Sequence, residues 1–115
     1  MALSRDYADF LRDILSGFAP VTIRNMFGGA GIFHDGVMFG LVADDTLYLR
    51  ADDNSSAPFE AEGKGPFTYR RKGRGKMTMP YWELPERLLD NPDELALWSA
   101  RAHEVARRVK PRRGR

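Results

Sequence analysis

Five cations crowd one short turn. Arg70, Arg71, Lys72, Arg74 and Lys76 flank Gly73 and Gly75, with Tyr69, Tyr81 and Trp82 close by in sequence. A basic hairpin can track a phosphate backbone while a neighbouring ring stacks a base. Such a hairpin can also enter a groove of duplex DNA. The plainer reading is a solvated turn whose charges keep a sheet edge from pairing with other chains. Further cations follow at Arg107, Arg108, Lys110, Arg112, Arg113 and Arg115. They would strengthen polyanion binding without adding sequence specificity.

Other residues that could do chemistry fall short of a reactive set. Gly28-Gly29-Ala30-Gly31 misses the dinucleotide spacing, because His34 stands where the third glycine belongs, counted from Gly29. Gly73 to Thr78 ends like a phosphate loop, but Met77 follows the lysine where Ser or Thr is required. His34 and His103 are far apart in sequence, so either could act as a base or ligand only if the fold joins them. Asp44-Asp45 and Asp52-Asp53 read as turn residues. No serine has a G-x-S-x-G frame. We expect no catalytic, cofactor-binding or metal-ligating residues, and no enzyme.

The elements that must position these residues are well punctuated. Ser4 can cap a helix whose stripe is Tyr7, Phe10, Leu11, Ile14, Leu15 and Phe18; Gly17 and Pro20 end it. Val21 to His34 reads as one strand bent at Gly28-Gly29, or else as two short strands. Asp35-Gly36 is a hairpin turn into a strand at Val37 to Val42, and Asp44-Asp45 turns into Thr46 to Arg50. Met26, Phe27, Met38 and Phe39 make an apolar cluster expected in the core; any that faced outward would form an adaptable Met-rich contact surface.

A short helix is expected near Ala57 to Glu62 and a hairpin of strands at Phe67 to Arg71 and Lys76 to Glu83. Pro80 makes the second of these an edge strand or marks a bulge. Pro85 begins a helical turn. Asn91 caps a last helix with Pro92 at its first position and a stripe of Leu95, Trp98, Ala102, Val105 and Val109. The order α-β(3)-α-β(2)-α predicts a two-layer α+β domain over residues 1–109, with an antiparallel sheet of about five strands and helices on one face. Residues 110–115 read as a basic disordered tail.

This wording resembles the N-terminal domain of the TfoX/Sxy family. The segments that carry it are Arg24-x-Met26-Phe27-Gly28-Gly29-x-Gly31, Gly36-x-Met38-Phe39-Gly40-Leu41, Leu47-Tyr48-Leu49-Arg50, Pro66-Phe67-x-Tyr69, Met79-Pro80-Tyr81-Trp82-x-Leu84-Pro85 and the helix around Trp98. The likeness covers roughly residues 5–107. It gives Arg24, Met26, Phe27, Gly28, Gly29, Gly31, Pro80, Tyr81, Trp82 and Trp98 the standing of structural motif residues. It implies the same α+β order and a part in bacterial competence regulation, with family members described as transcriptional regulators. Longer members add a C-terminal helical domain, and this chain is expected to stop short of it. The functional expectation is a regulatory module acting through DNA or a protein partner. The rival is an interaction or chaperone-like module, a possible homodimer, without nucleic acid.

Composition sets the outer bounds. A chain of 115 residues buries one core without staples, and the absence of cysteine excludes disulfides and thiolate metal sites. The N-terminal stretch is no signal peptide, because charges interrupt it from Arg5 to Asp13, and no apolar run reaches membrane-spanning length. A cytoplasmic protein with no membrane partner is the expectation. Residues 1–63 hold four basic side chains against ten acidic ones, a net −6; the overall +2 leaves +8 for residues 64–115. Such lopsided charge fits a nucleic-acid-facing surface or head-to-tail self-association.

Overall fold

The computed structural model describes residues 4–26 and 28–109. Helix α1 spans Arg5–Leu15, and the Ser4 hydroxyl accepts a hydrogen bond from the Tyr7 amide at 3.1 Å. This satisfies one of the free N–H groups at the helix start. Strands β1 (Thr22–Met26), β2 (Gly29–His34), β3 (Val37–Ala43) and β4 (Thr46–Arg50) follow as a meander. After the short helix α2 (Ala57–Ala61), β5 (Pro66–Arg71) and β6 (Gly75–Glu83) form a hairpin. A 3-10 turn over Glu86–Asp90 leads to helix α3 (Pro92–Arg108). The Asn91 side chain accepts from the Glu94 amide as its cap.

The sheet is antiparallel with six strands, in the order β1-β2-β3-β4-β6-β5. The glycine pair accounts for the sixth strand. Gly28 takes a φ of 64° and the chain reverses there, so β1 and β2 pair with each other from Met26↔Gly29 to Thr22↔Phe33. The two-strand alternative therefore holds, not the single bent strand. Gly29 also lets β2 approach β3, since a Cβ there would collide with the Val42 carbonyl oxygen. The turns at Asp35-Gly36 and Asp44-Asp45 have positive φ at every residue (53°, 75°, 50° and 58°), as tight hairpins require. Pro80 marks an irregularity, not an edge. Strand β6 lies between β4 and β5, and the β5–β6 register slips between Pro66 and Thr68, opposite Thr78 to Trp82.

The helices cover one face. Ile32, Val42, Leu47, Leu49 and Leu84 from the sheet side pack with Leu11, Leu15, Leu88, Leu95 and Ala102 in a single core. Two stripe positions depart from expectation: Phe10 is 40% exposed, and Val109 is exposed beyond the end of α3. The apolar cluster also splits. Phe39 is fully buried, edge-on to Phe18 at 5.2 Å, whereas Met26 is 44% exposed and Met38 lies outside the core. A register shift at Ile32/Phe33 breaks the two-residue alternation of β3 and turns Phe39 inward. Phe27 and the 110–115 tail fall outside the described residues.

Candidate nucleic-acid interface

The helix-free face of the sheet is built from every second strand residue. Arg24, Gly31, Leu41, Tyr48 and Glu83 form one cross-strand row there, and Tyr69 opposes Met77 further along. A groove of about 610 Å³ runs over this face. Its walls include Met26 from β1, Met38 and Leu41 from β3, Phe67 and Tyr69 from β5, and Met79 from β6. Strands β1 and β5 are the two edges of the sheet, so residues of both can line one groove only because the sheet curls around it.

The basic hairpin closes one end of that groove. Arg70, Arg71 and Lys72 line it, and Arg74 and Lys76 are exposed on the same turn. The turn is set by Gly73 and Gly75, with φ of 75° and 76°, and by the Arg74 amide donating to the Arg71 carbonyl at 2.8 Å. Arg70 stands directly opposite Lys76 in the ladder. Like charges in that position destabilise a sheet. Among the described residues, none of these five cations makes an ion pair. Elsewhere the chain does pair its surface charges. Arg87 reaches Glu62 after α2 and Glu94 in α3, holding both carboxyls below the usual range, chiefly by direct hydrogen bonds.

Aromatic rings continue the surface. Phe67 and Tyr69 lie nearly parallel, 21° apart with centroids separated by 6.1 Å, and Tyr48 buttresses Phe67 edge-on at 5.1 Å. Burial, then the charges of Glu83 and Asp44, push the Tyr48 phenol above its ordinary pKa. Tyr69 is 38% exposed. Gly31 serves the same face: a Cβ there would meet the Met26 sulfur at 2.8 Å, the Phe33 ring at 3.0 Å and the Met38 sulfur at 3.1 Å. Arg24 lies over Phe33 with its guanidinium 5.5 Å from the ring centroid.

The remaining motif residues hold the frame together. Tyr81 is buried and donates its hydroxyl to the Met38 carbonyl at 3.4 Å. Arg50 lies over the Tyr81 ring, and its buried Nε has no hydrogen-bond partner among the described residues. Trp82 packs against the core and Pro80 is exposed. Trp98 donates its indole N–H to Glu94 at 3.2 Å and meets Phe59 edge-on at 4.9 Å.

The fold does join the two histidines, with ring centroids 5.0 Å apart. Each has a backbone partner, His34 Nδ1 being 3.0 Å from the Pro20 carbonyl oxygen and His103 Nε2 3.0 Å from that of His34, while His34 Nε2 lies 3.6 Å from an Asp35 carboxylate oxygen. Among the described residues no group of three His, Cys, Asp or Glu side chains could hold a metal ion. Asp52 is a turn residue that accepts from the Asn54 amide and the Ser55 hydroxyl, which lower its pKa.

Sequence reasoning found the basic turn and Tyr69 but missed Phe67, Tyr48 and Met79 as their companions. Period-two alternation is the signal that carries them, since Phe67 shares the parity of Tyr69, and Met79 that of Met77.

Known proteins carry the same domain. The family model of the TfoX N-terminal domain matches residues 13–106. The DNA transformation protein TfoX1 of Aliivibrio fischeri is 36% identical over 72 residues, which is 63% of this chain and 34% of that protein. Protein Sxy of Escherichia coli is 28% identical over 102 residues, 89% of this chain and 48% of that protein. The chain thus spans between a third and a half of the length of these curated relatives. With the match running from within α1 almost to the end of α3, the chain belongs to the TfoX N-terminal domain family.

Proposed function

We propose that this domain is a non-enzymatic regulatory module that acts in transcription or competence control, in the cytoplasm, by holding a macromolecule on its helix-free sheet face. One observation carries the reading: five cations without an ion pair among the described residues, beside an exposed aromatic and Met-lined groove. A solvated turn alone would not require the like-charged Arg70–Lys76 pair, which an anionic partner relieves. One relative is named a DNA transformation protein, which supports the regulatory setting. The non-enzymatic part draws on the histidines, each with a ring nitrogen at a backbone carbonyl, and on Asp52, which is held in its own turn by the Ser55 hydroxyl and the Asn54 amide.

A second reading, a dimeric interaction module, draws on the open edge strands. Every residue of β1 except Ile23 is exposed, and such an edge can accept a strand from a second copy. Deletion of the gene followed by transcript profiling tests the main proposal. Complementation with wild type should restore the profile. Charge reversal by Arg70→Glu, Arg71→Glu and Lys72→Glu should not, while reversal of the distant Arg5 should. Restoration by the hairpin triple variant would reject the face as the working surface.

A further inference from the structure

We infer that the groove on the helix-free face takes single-stranded nucleic acid, with bases laid on Phe67 and Tyr69 and phosphates along Arg70, Arg71 and Lys72. The inference rests on the reading of this face as the contact surface and names what it contacts. Its first ground is charge: the hairpin presents cations that nothing in the described chain neutralises. A chain of phosphates matches a row of such cations without any other chemistry.

The second ground is the kind of apolar surface beside them. Two nearly parallel rings flank the cations in sequence, on the strand that leads into the turn. A duplex offers its groove contacts only base edges, since its base faces are already stacked. Against a duplex a ring face reaches a base face only by forcing a base step apart, whereas a single strand has free base faces and phosphates together. The edge-on contact from Tyr48 holds Phe67 in place, so the platform is set before a base arrives.

The third ground is the methionines opposite. Met26 and Met38 carry polarizable sulfurs that adapt to rings of different outline. Such a lining accepts any base, so binding is tolerant of sequence. At about 610 Å³ the groove lies in the volume range of sites for ligands of drug size, about 300–1,000 Å³. It therefore grips a few nucleotides, with the hairpin extending the contact along the backbone.

The test is fluorescence anisotropy on the full chain. The probes are a labelled oligothymidylate of about 15 nucleotides, within the site sizes of single-strand binders, and a duplex of equal length. The single strand should bind at least about 10-fold more tightly than the duplex at each salt concentration. Tyr69→Ala should weaken single-strand binding by about 5- to 150-fold with no change in salt dependence, and Tyr69→Phe should retain it. Because Tyr69 is partly exposed, the alanine variant should keep the wild-type circular dichroism spectrum. Joint replacement of Arg70, Arg71 and Lys72 by alanine should reduce the slope of log affinity against log salt by about 2.

Equal or tighter duplex binding overturns the inference while leaving the face as a DNA contact. An unaltered affinity in Tyr69→Ala overturns the stacking platform. If neither nucleic acid binds at low salt, yet hairpin charge reversal still abolishes regulation in cells, the occupant is a protein and the inference fails alone. If charge reversal has no effect in cells either, the contact surface itself is wrong.

Discussion

Replacing Gly29 with alanine should damage this domain far more than the same change two residues later at Gly31. At Gly29 the new methyl would collide with the Val42 carbonyl oxygen, a backbone atom held in the β2–β3 ladder. Relief requires the two strands to part. At Gly31 the nearest atoms are the Met26 and Met38 sulfurs and the Phe33 ring, at 2.8–3.1 Å. These are side-chain ends that can rotate away. Overpacking costs about 1–3 kcal/mol, and a backbone obstacle puts Gly29→Ala at or above the upper end. Alanine recovers about 0.5–1 kcal/mol from the unfolded chain at both sites. That leaves about 2–3 kcal/mol of net loss for Gly29→Ala and about 1 kcal/mol or less for Gly31→Ala. With an unfolding entropy of about 2.1 cal/mol/K per residue, one kcal/mol moves the Tm of a chain this size by about 4 °C. Gly29→Ala should melt about 8–12 °C below wild type and Gly31→Ala within about 4 °C of it. Gly36→Ala calibrates the scale. Its site is open but has a φ of 75°, so strain of about 1–2 kcal/mol, less the same recovery, should lower Tm by up to about 6 °C. Thermal unfolding followed by circular dichroism measures all three. A Gly29→Ala protein that melts within about 4 °C of wild type would refute the close strand approach, as would equal losses at Gly29 and Gly31.

Phe39→Ala should cost about 3–5 kcal/mol in urea unfolding, since the ring is fully buried against Phe18 and His103; a loss under about 1.5 kcal/mol would mean the site collapses around the gap. Ser99→Ala should raise stability by about 1 kcal/mol, because the buried Ser99 hydroxyl has no partner among the described residues, and a destabilised variant would point to an ordered water there. Asp45→Gly should also stabilise, by up to about 1 kcal/mol, by relieving a φ of 58° at the second turn position. Arg87→Met should lower stability at neutral pH. Glu62 and Glu94 have depressed folded pKa values, so their contribution is complete above the ordinary glutamate value near 4.3. It disappears as pH falls through the folded values, and the gap between the variant and wild type should close there. A gap that stays constant down to full protonation would refute the charge coupling.

The Asp35-Gly36 and Asp44-Asp45 turns were legible because Asp and Gly tolerate positive φ, and few arrangements but a tight hairpin use them in pairs. The Gly28-Gly29 pair was less decisive. Glycine permits a bulge, a bend or a reversal alike, and only the β1–β2 ladder settles the choice. Pro80 left an edge and a bulge open for a related reason: alternation reports which face a residue takes, not which strand lies beside it. The pairing of β4 with β6 is therefore invisible in the sequence, and so is the place of Pro80 inside the sheet. The basic hairpin stood out by composition alone. Its apolar companions did not, because a curl brings Met26 on one edge strand to the same groove as Tyr69 on the other. The split of Phe39 from Met26 and Met38 was hidden by the register shift that interrupts the alternation.

The strand order has a kinetic meaning. Four of the five adjacent pairs in the sheet are hairpins between successive strands, each closed by a short turn. The exception joins β4 to β6 through three residue pairs, Tyr48↔Glu83, Leu49↔Trp82 and Arg50↔Tyr81. Within the sheet, the loop-closure entropy of a distant contact is therefore incurred at one seam. A meander with a net acidic sequence zips up on one side, and a basic hairpin forms on the other. Within the sheet the one distant pairing is of three residue pairs, and attraction between two halves of opposite charge favours it.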